Sequence, residues 1–347
     1  MEIKTQELKN TTNYKNTVLA DYRLVYMSRE ASLIGRREVL TGKAKFGIFG
    51  DGKELPQVAM SKVFRKGDIR SGYYRDQTFA MAKGIQGFKE FFAQLYANPS
   101  LDADPNSGGR QMNAHFASRN LDEAGNWNDL TQLYNSYSDS SPTASQMPRL
   151  VGLVQASKLY RILPELANLQ QFSNNGEEVV FGTIGNASCA EGHFWEAINA
   201  VGVIQGPLVM SIWDDDYGIS VPNEYQITKT SLSEMLSGFQ RTEDERGFEI
   251  FTVKAWDYEA LIKTYEKATQ LARAFHIPSI IHVTEVTQPQ GHSTSGSHER
   301  YKNEERLAWE RDYDCLIQMR KFILNKQIAS EEEIQLMEKE AKKEVRR

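Results

Sequence analysis

The sequence predicts an α/β protein with a mostly parallel sheet flanked by helices, and three observations predict it. Two apolar, β-branched runs at 178–183 (EVVFGT) and 207–212 (PLVMSI) bracket a helix-period segment at 191–203. Strand, helix, strand at that spacing is a βαβ unit, which requires parallel strands and a right-handed crossover. The arrangement recurs at 247–253 (GFEIFTV), 258–275 and 279–283 (SIIHV). Finally, 347 residues with 40% hydrophobic and 25% charged side chains have the proportions of a globular protein that buries a sizeable core.

The remaining elements follow in order. Residues 1–20 are polar and rich in Asn, Thr and Lys, so they read as an extended N-terminal arm. From Asp21 the pattern turns helical, with Leu24, Met27, Leu33, Ile34 and Val39 at roughly helical spacing and Gly42 as the stop. Phe46 to Phe49 enter a turn at Gly50, Asp51 and Gly52, since Asp-Gly after an apolar run is strong turn chemistry. Helices are predicted over 54–63, over 86–97, where GFKEFFAQLYAN carries an amphipathic stripe, and over 146–169. Between the last two, residues 102–141 are polar and weakly periodic. A loop that long in a compact domain is usually functional, so ligand contacts are expected there. Ser330 with Glu333 forms a capping box ahead of Ile334, Met337, Ala341 and Val345, which predicts a final helix. Simple division at ~150 residues per domain suggests two domains. The absence of a repeat or low-complexity linker favours an arm at 1–20, one α/β domain at 21–313, and C-terminal helices at 314–347 that lead or pack into a further module.

Charge narrows the partners. Forty-one basic against 46 acidic residues leave −5 without a block of like charge, so neither nucleic acid nor an anionic membrane is expected. Cys189 and Cys315 are too few for a disulfide framework or a thiolate metal cage, and a reducing, cytoplasmic location is expected. The N-terminus lacks the apolar core of a signal peptide, and no stretch approaches the ~20 apolar residues of a membrane span.

In open α/β sheets ligands bind beyond the carboxyl ends of the strands, so the loops after Thr183 and Ile212 are the candidate site. The first runs through Gly185, Asn186, Ala187 and Ser188 into a helix; small residues let backbone approach a phosphate, and the helix's free amides favour an anion. The second holds Asp214, Asp215, Asp216, Tyr217 and Gly218. Each loop alone reads as an ordinary turn. Together at neighbouring strand ends, Asn186 and Asp215 supply the hard oxygens that a Mg²⁺ or Ca²⁺ bridging a diphosphate would use.

On these residues, the segment from Val179 to Pro222 resembles the thiamine-diphosphate signature, and specifically the α subunit of the decarboxylating component of 2-oxo acid dehydrogenase complexes, the branched-chain type most closely. The family's Gly-Asp/Glu-Gly is represented by Gly185, Asn186 and Ala187, and its Asn-Asn by Asp214 and Asp215, so acid and amide have exchanged places. The resemblance implies a thiamin diphosphate-binding fold, with Mg²⁺ on Asn186, Asp215 and the Tyr217 carbonyl. It also implies cofactor contacts from Tyr74 and Arg75, Ser141 and Thr143, Gly185, Ala187 and Ser188, Tyr217, Ile219 and His292. Ser140 to Gln146 resembles the family's Ser-Ser-Pro-Leu-Ala-Thr-Gln, which implies a K⁺ site at Ser140, Pro142, Ser145 and Gln146. Gly109 to Met112 followed by His115 resembles Gly-Arg-Gln-Met-x-x-His, marking Arg110 and His115 as a structural or substrate loop. Gly52 and Glu54 resemble a Gly-x-Glu segment near the start of the domain.

The loop from Gln290 through His292 to Ser295 resembles the one that carries the family's active-site histidine. His292 is therefore expected to transfer protons and orient the acyl group, since imidazole titrates near neutral pH; His298 is a second candidate. Two departures stand out. Gln288 occupies the place of an arginine four residues before the histidine, and Trp213 that of an arginine in branched-chain members. Diphosphate binding is expected to rest on Arg75, metal and backbone amides.

The resemblance thus implies thiamine-diphosphate-dependent oxidative decarboxylation of a branched-chain or related 2-oxo acid, with acyl transfer to the lipoyl arm of an acyltransferase component. It implies an α2β2 assembly with a β subunit, separate or fused after Arg347, that supplies the glutamate activating the cofactor. Alternatives are a non-catalytic, scaffold-like paralogue with a degenerate metal motif and an acetoin-cleaving relative.

Overall fold

In the computed structural model, which describes residues 2–292 and 297–347 and side chains from residue 12 onward, the two central apolar runs are adjacent parallel strands. The chain opens with α1 (Glu2–Leu40), turns into α2 (Glu54–Val63), and adds β1 (Ile69–Ser71), α3 (Gln77–Ala82) and α4 (Phe88–Leu95). Within the long polar stretch lies β2 (Asn135–Ser136), and after it come α5 (Gln146–Ile162), β3 (Val180–Gly185), α6 (Gly192–Ile204) and β4 (Leu208–Trp213). A small hairpin of β5 (Tyr217–Gly218) and β6 (Val221–Pro222) and the short α7 (Leu232–Met235) precede β7 (Glu249–Lys254), α8 (Tyr258–Phe275) and β8 (Ser279–Thr284). Helices α9 (Glu304–Tyr313), α10 (Cys315–Asn325) and α11 (Glu331–Val345) follow.

The main sheet runs β2-β1-β3-β4-β8-β7 with every neighbouring pair parallel. Strand β4 shows why its sequence is apolar throughout. Leu208, Met210 and Ile212 pack with α5 and α6, whereas Val209 and Trp213 face α2, α8 and α10, so both faces are buried. The one polar residue of β4, Ser211, shares a 2.7 Å hydrogen bond with the Tyr265 hydroxyl of α8. Order reverses around β1, which pairs β2 on one side and β3 on the other. This is a topological switch point, where α/β sheets place ligands.

The N-terminal segment differs from its expected extended arm. Residues 2–20 continue α1, and Val18, Tyr22 and Val25 form a buried stripe at helical spacing. Contacts distant in sequence hold it: Lys15 meets Glu333, and the Tyr22 hydroxyl donates to Glu338, both on α11. Packing overrides the weak helix propensity of Asn and Thr here. The capping box at Ser330 and Glu333 forms as expected. The helix predicted over 146–169 ends at Ile162, followed by a short 3₁₀ turn at Pro164–Leu166. Among the described residues, no helix is long and apolar enough to cross a membrane.

Candidate active site

Loops leaving the carboxyl ends of β1, β3 and β4 meet the segment after β8 around a cavity of about 320 Å³. Tyr74 and Arg75 come from the first loop, Gly185, Asn186, Ala187 and Ser188 from the second, Asp215, Tyr217 and Ile219 from the third. Thr143, His292, Tyr73, Glu191, Gly218 and Gln226 complete the wall. Ile219 is a β-branched residue at φ 60°, a strained conformation concentrated at functional sites. Ser141 lies outside the lining. Its hydroxyl meets His115 Nε2 at 3.0 Å, and the His115 ring stacks on Tyr74 at 5.9 Å, so this pair backs the cavity wall. Arg110 is turned away, its Nε donating to the Ser107 carbonyl.

The expected K⁺ residues are clustered but engaged. The Ser140 and Ser145 hydroxyls bond each other, and Gln146 Nε2 donates to the Thr183 carbonyl at 2.9 Å.

The three expected magnesium ligands also come together, and each is already occupied. Asp214 anchors the arrangement: one carboxylate oxygen meets His282 Nε2 at 2.9 Å, and the other accepts from Asn223 Nδ2 at 2.9 Å. A carboxylate facing the Asn223 amide fixes which end is nitrogen, so Asn223 Oδ1 points toward Asn186 and can only accept. Asn186 therefore presents its Nδ2, which donates to Asn223 Oδ1 at 2.7 Å and to the Tyr217 carbonyl at 3.1 Å. One expected ligand oxygen, that of Asn186, is thus replaced by a nitrogen donor, and a second, the Tyr217 carbonyl, accepts from it. Asp215 is equally committed, accepting from Lys53 Nζ at 2.8 Å and from the Tyr217 N–H at 3.3 Å. This donor set does not fit a divalent cation, which needs several oxygens facing one point.

Charge around the cavity is arranged tightly. Burial alone would raise the Asp215 carboxyl, but Lys53, Arg75 and a hydrogen bond from Gln288 hold it below the usual carboxylate range. Arg75 is 7% exposed and its Nη2 donates to the His292 carbonyl at 2.9 Å. Burial, with Arg75 and Lys53 nearby, pushes the His292 imidazole down to about 3. The near-neutral titration expected from sequence is therefore corrected: in this setting His292 stays a neutral imidazole at pH 7, with one ring nitrogen as hydrogen-bond donor and the other as acceptor. Its Nδ1 has no hydrogen-bond partner among the described residues. Ser293 to Ser295, expected in the same loop, lie outside the described residues. His298 is 4.0 Å from Glu310, away from the lining.

The two departures have structural explanations. Trp213 is fully buried and donates from Nε1 to Asp76 at 3.1 Å, beneath the cavity rather than into it. Gln288 serves Asp215 instead of an anion. Sequence reasoning missed Lys53, although it sits inside the Gly52-x-Glu54 segment. The available signal was a lysine placed between a tight turn and a helix start. Gly52 holds that turn at φ +86°, and a Cβ there would lie 1.8 Å from the Thr287 carbonyl. Arg306 was missed as well; it donates to the Asp215 carbonyl at 3.0 Å and lies over the Tyr217 ring at 5.4 Å.

A parallel sheet with a polar, strand-end cavity at its switch point defines a ligand-binding α/β protein, and a family model places it further. Residues 22–347 match the dehydrogenase E1 component, and the chain belongs to that family. Among known relatives, it is 26% identical over 298 residues to the 2-oxoisovalerate dehydrogenase subunit alpha of Bacillus subtilis, covering 86% of this chain and 78% of that one. It is 22% identical over 330 residues to the mitochondrial 2-oxoisovalerate dehydrogenase subunit alpha of Mus musculus, spanning 94% of this chain and 65% of the mouse protein. The pyruvate dehydrogenase E1 component subunit alpha of Rickettsia typhi is 22% identical over 288 residues, with 83% and 76% covered.

Proposed function

We propose that the chain is the α subunit of a 2-oxo acid dehydrogenase that binds thiamine diphosphate in the strand-end cavity and acts on a branched-chain 2-oxo acid, passing the acyl group to a lipoyl arm. The observation that carries the reading is the convergence of Arg75, the 185–188 turn and His292 on one cavity. Family membership and relatives named for 2-oxoisovalerate support the reaction and substrate class. The orphaned His292 Nδ1 in the wall is the kind of buried polar atom that a ligand satisfies.

Thiamine diphosphate, when bound, supplies the carbanion chemistry that decarboxylation needs. The chain's residues supply the setting. Arg75 offers a forked donor to the diphosphate, and Gly185, Ala187 and Ser188 allow backbone to approach it. Tyr74, backed by His115, forms an aromatic wall. His292, neutral and held through its own carbonyl by Arg75, offers its ring N–H as a hydrogen-bond donor to the acyl oxygen. Magnesium is not part of this reading, because its expected ligands are engaged with one another and with Lys53. A K⁺ at 140–146 remains part of it: the Ser140 and Ser145 hydroxyls, bonded to each other, would exchange that bond for the ion, and a KCl titration of thermal stability tests it. An α2β2 assembly with a β subunit, a lipoyl acyltransferase partner and a cytoplasmic location complete the reading; two buried, free cysteines support the last.

The test is turnover by the assembled α and β chains on pyruvate, 2-oxoisovalerate and acetoin, with calorimetry of thiamine diphosphate binding. The highest kcat/KM is expected on 2-oxoisovalerate. His292→Asn is expected to lower kcat about 10²- to 10⁴-fold. An assembly that binds no thiamine diphosphate would reduce the chain to a scaffold.

A further inference from the structure

Lys53 is a nearly buried cation, 3% exposed, with its ammonium 2.8 Å from the Asp215 carboxylate that helps line the cavity. We propose that the Lys53 ammonium does the charge-neutralising work of a divalent cation, so that this chain holds a diphosphate without Mg²⁺. The inference rests on the diphosphate reading of the cavity and specifies how that site is built.

A diphosphate entering the cavity meets Asp215, and an unpaired carboxylate in a partly desolvated wall repels it strongly. Something positive must therefore sit at Asp215. In this chain the backbone provides it: Gly52 locks the turn against the Thr287 carbonyl, the Lys53 N–H donates to Gly50 O at 3.1 Å, and Glu54 is clamped by Arg29 Nε at 2.6 Å. Lys53 is fixed on both sides before any ligand arrives. The other two expected ligands are engaged as well, Asn186 turning its Nδ2 to the Tyr217 carbonyl beside Asp214 and Asn223, so that no set of oxygens faces one point while Lys53 holds Asp215. With Asp215 neutralised from behind, Arg75 faces one carboxylate in the cavity wall, Glu191, instead of two. Lys53 acts through Asp215, and is a positioning residue.

The experiment is calorimetry of thiamine diphosphate, and separately of inorganic pyrophosphate, binding to the assembled α and β chains in EDTA and in millimolar Mg²⁺. The wild type is expected to bind with a Kd that changes no more than about twofold between the two conditions, less than 0.5 kcal/mol. Lys53→Gln is expected to bind about tenfold or more weakly in EDTA and to recover in Mg²⁺, because a freed Asp215 then accepts the ion. Lys53→Arg should retain metal independence. Mn²⁺ titration followed by electron paramagnetic resonance should show a new tight site in Lys53→Gln that the wild type lacks. A purely structural role for Lys53 would not be rescued by a metal. Wild-type binding that collapses in EDTA overturns the proposal while leaving the cofactor reading intact. Equal affinity of Lys53→Gln and wild type in EDTA also overturns it. Failure to bind under either condition sinks the cofactor reading and this inference together. Should Lys53→Gln fail to fold, the wild-type comparison and Lys53→Arg decide.

Discussion

Two guanidinium groups, Arg70 and Arg29, are both buried and do different work. Arg70 lies under the cavity: it donates to Asp76 at 2.6 Å, Ser136 at 2.9 Å and the Tyr73 carbonyl at 3.0 Å, and pairs with Asp139 at 3.0 Å. Thr183 and Trp213 also converge on Asp76, so this node ties β1, β2, β3 and β4 together where the site's loops depart. Arg29 sits on α1 and grips Glu54 of α2 and Asp314, the N-cap of α10, whose carboxylate also accepts from Thr287. The first node braces a sheet from within, whereas the second clamps the N-terminal and C-terminal helices onto it. Each sets two carboxylates against one guanidinium, an arrangement that is weak evidence for stability but a strong penalty when broken.

That difference is open to attack. The largest effect is expected from Arg70→Met, which strands Asp76 and Asp139 without a cation. A loss of about 3–5 kcal/mol is predicted, measured by urea unfolding, and thiamine diphosphate binding should fall with it because the β1 and β3 loops lose their brace. Arg29→Met should cost about 3 kcal/mol, at the lower end of that range. Its signature is spatial: hydrogen exchange should quicken in α1 and α10 while the sheet stays protected, and equal loosening of both would erase the distinction.

The smallest effect is expected from neutralising one acid in each node. Burial raises the Glu54 and Asp139 carboxyls despite the arginine beside each. An acid whose folded pKa is raised contributes stability in acid that is lost as pH rises through it. Glu54→Gln and Asp139→Asn are therefore each expected to change stability at neutral pH by only about 1 kcal/mol, and to flatten its decline as pH rises from the ordinary carboxylate range. Thermal denaturation across pH 4 to 8 checks this; an unchanged slope in either variant would place that acid outside the balance.

Legibility followed the same divide. The βαβ units were readable because a strand buried on both faces must be apolar throughout, as β4 is, and the cavity followed because strand ends are where such sheets leave backbone amides free. The helical state of 2–20 was not, since its packing partners Glu333 and Glu338 lie more than three hundred residues away. Lys53 escaped for a similar reason. In sequence it is one charge in a polar turn, and only folding brings it to Asp215.

The chain by itself marked much of the site's lining: Tyr74, Arg75, Asn186, Asp215, Tyr217 and His292 were each picked out by local pattern or motif, whereas Ser141 falls behind the wall and Gln226 joins it unmarked. Tertiary structure alone decided what state those residues are in. Periodicity and residue type fix where a side chain stands, but protonation, amide orientation and ion pairing depend on neighbours from distant segments. Asp214 and Asn223 turn the Asn186 amide, Lys53 holds the Asp215 charge, and burial beside Arg75 keeps His292 neutral.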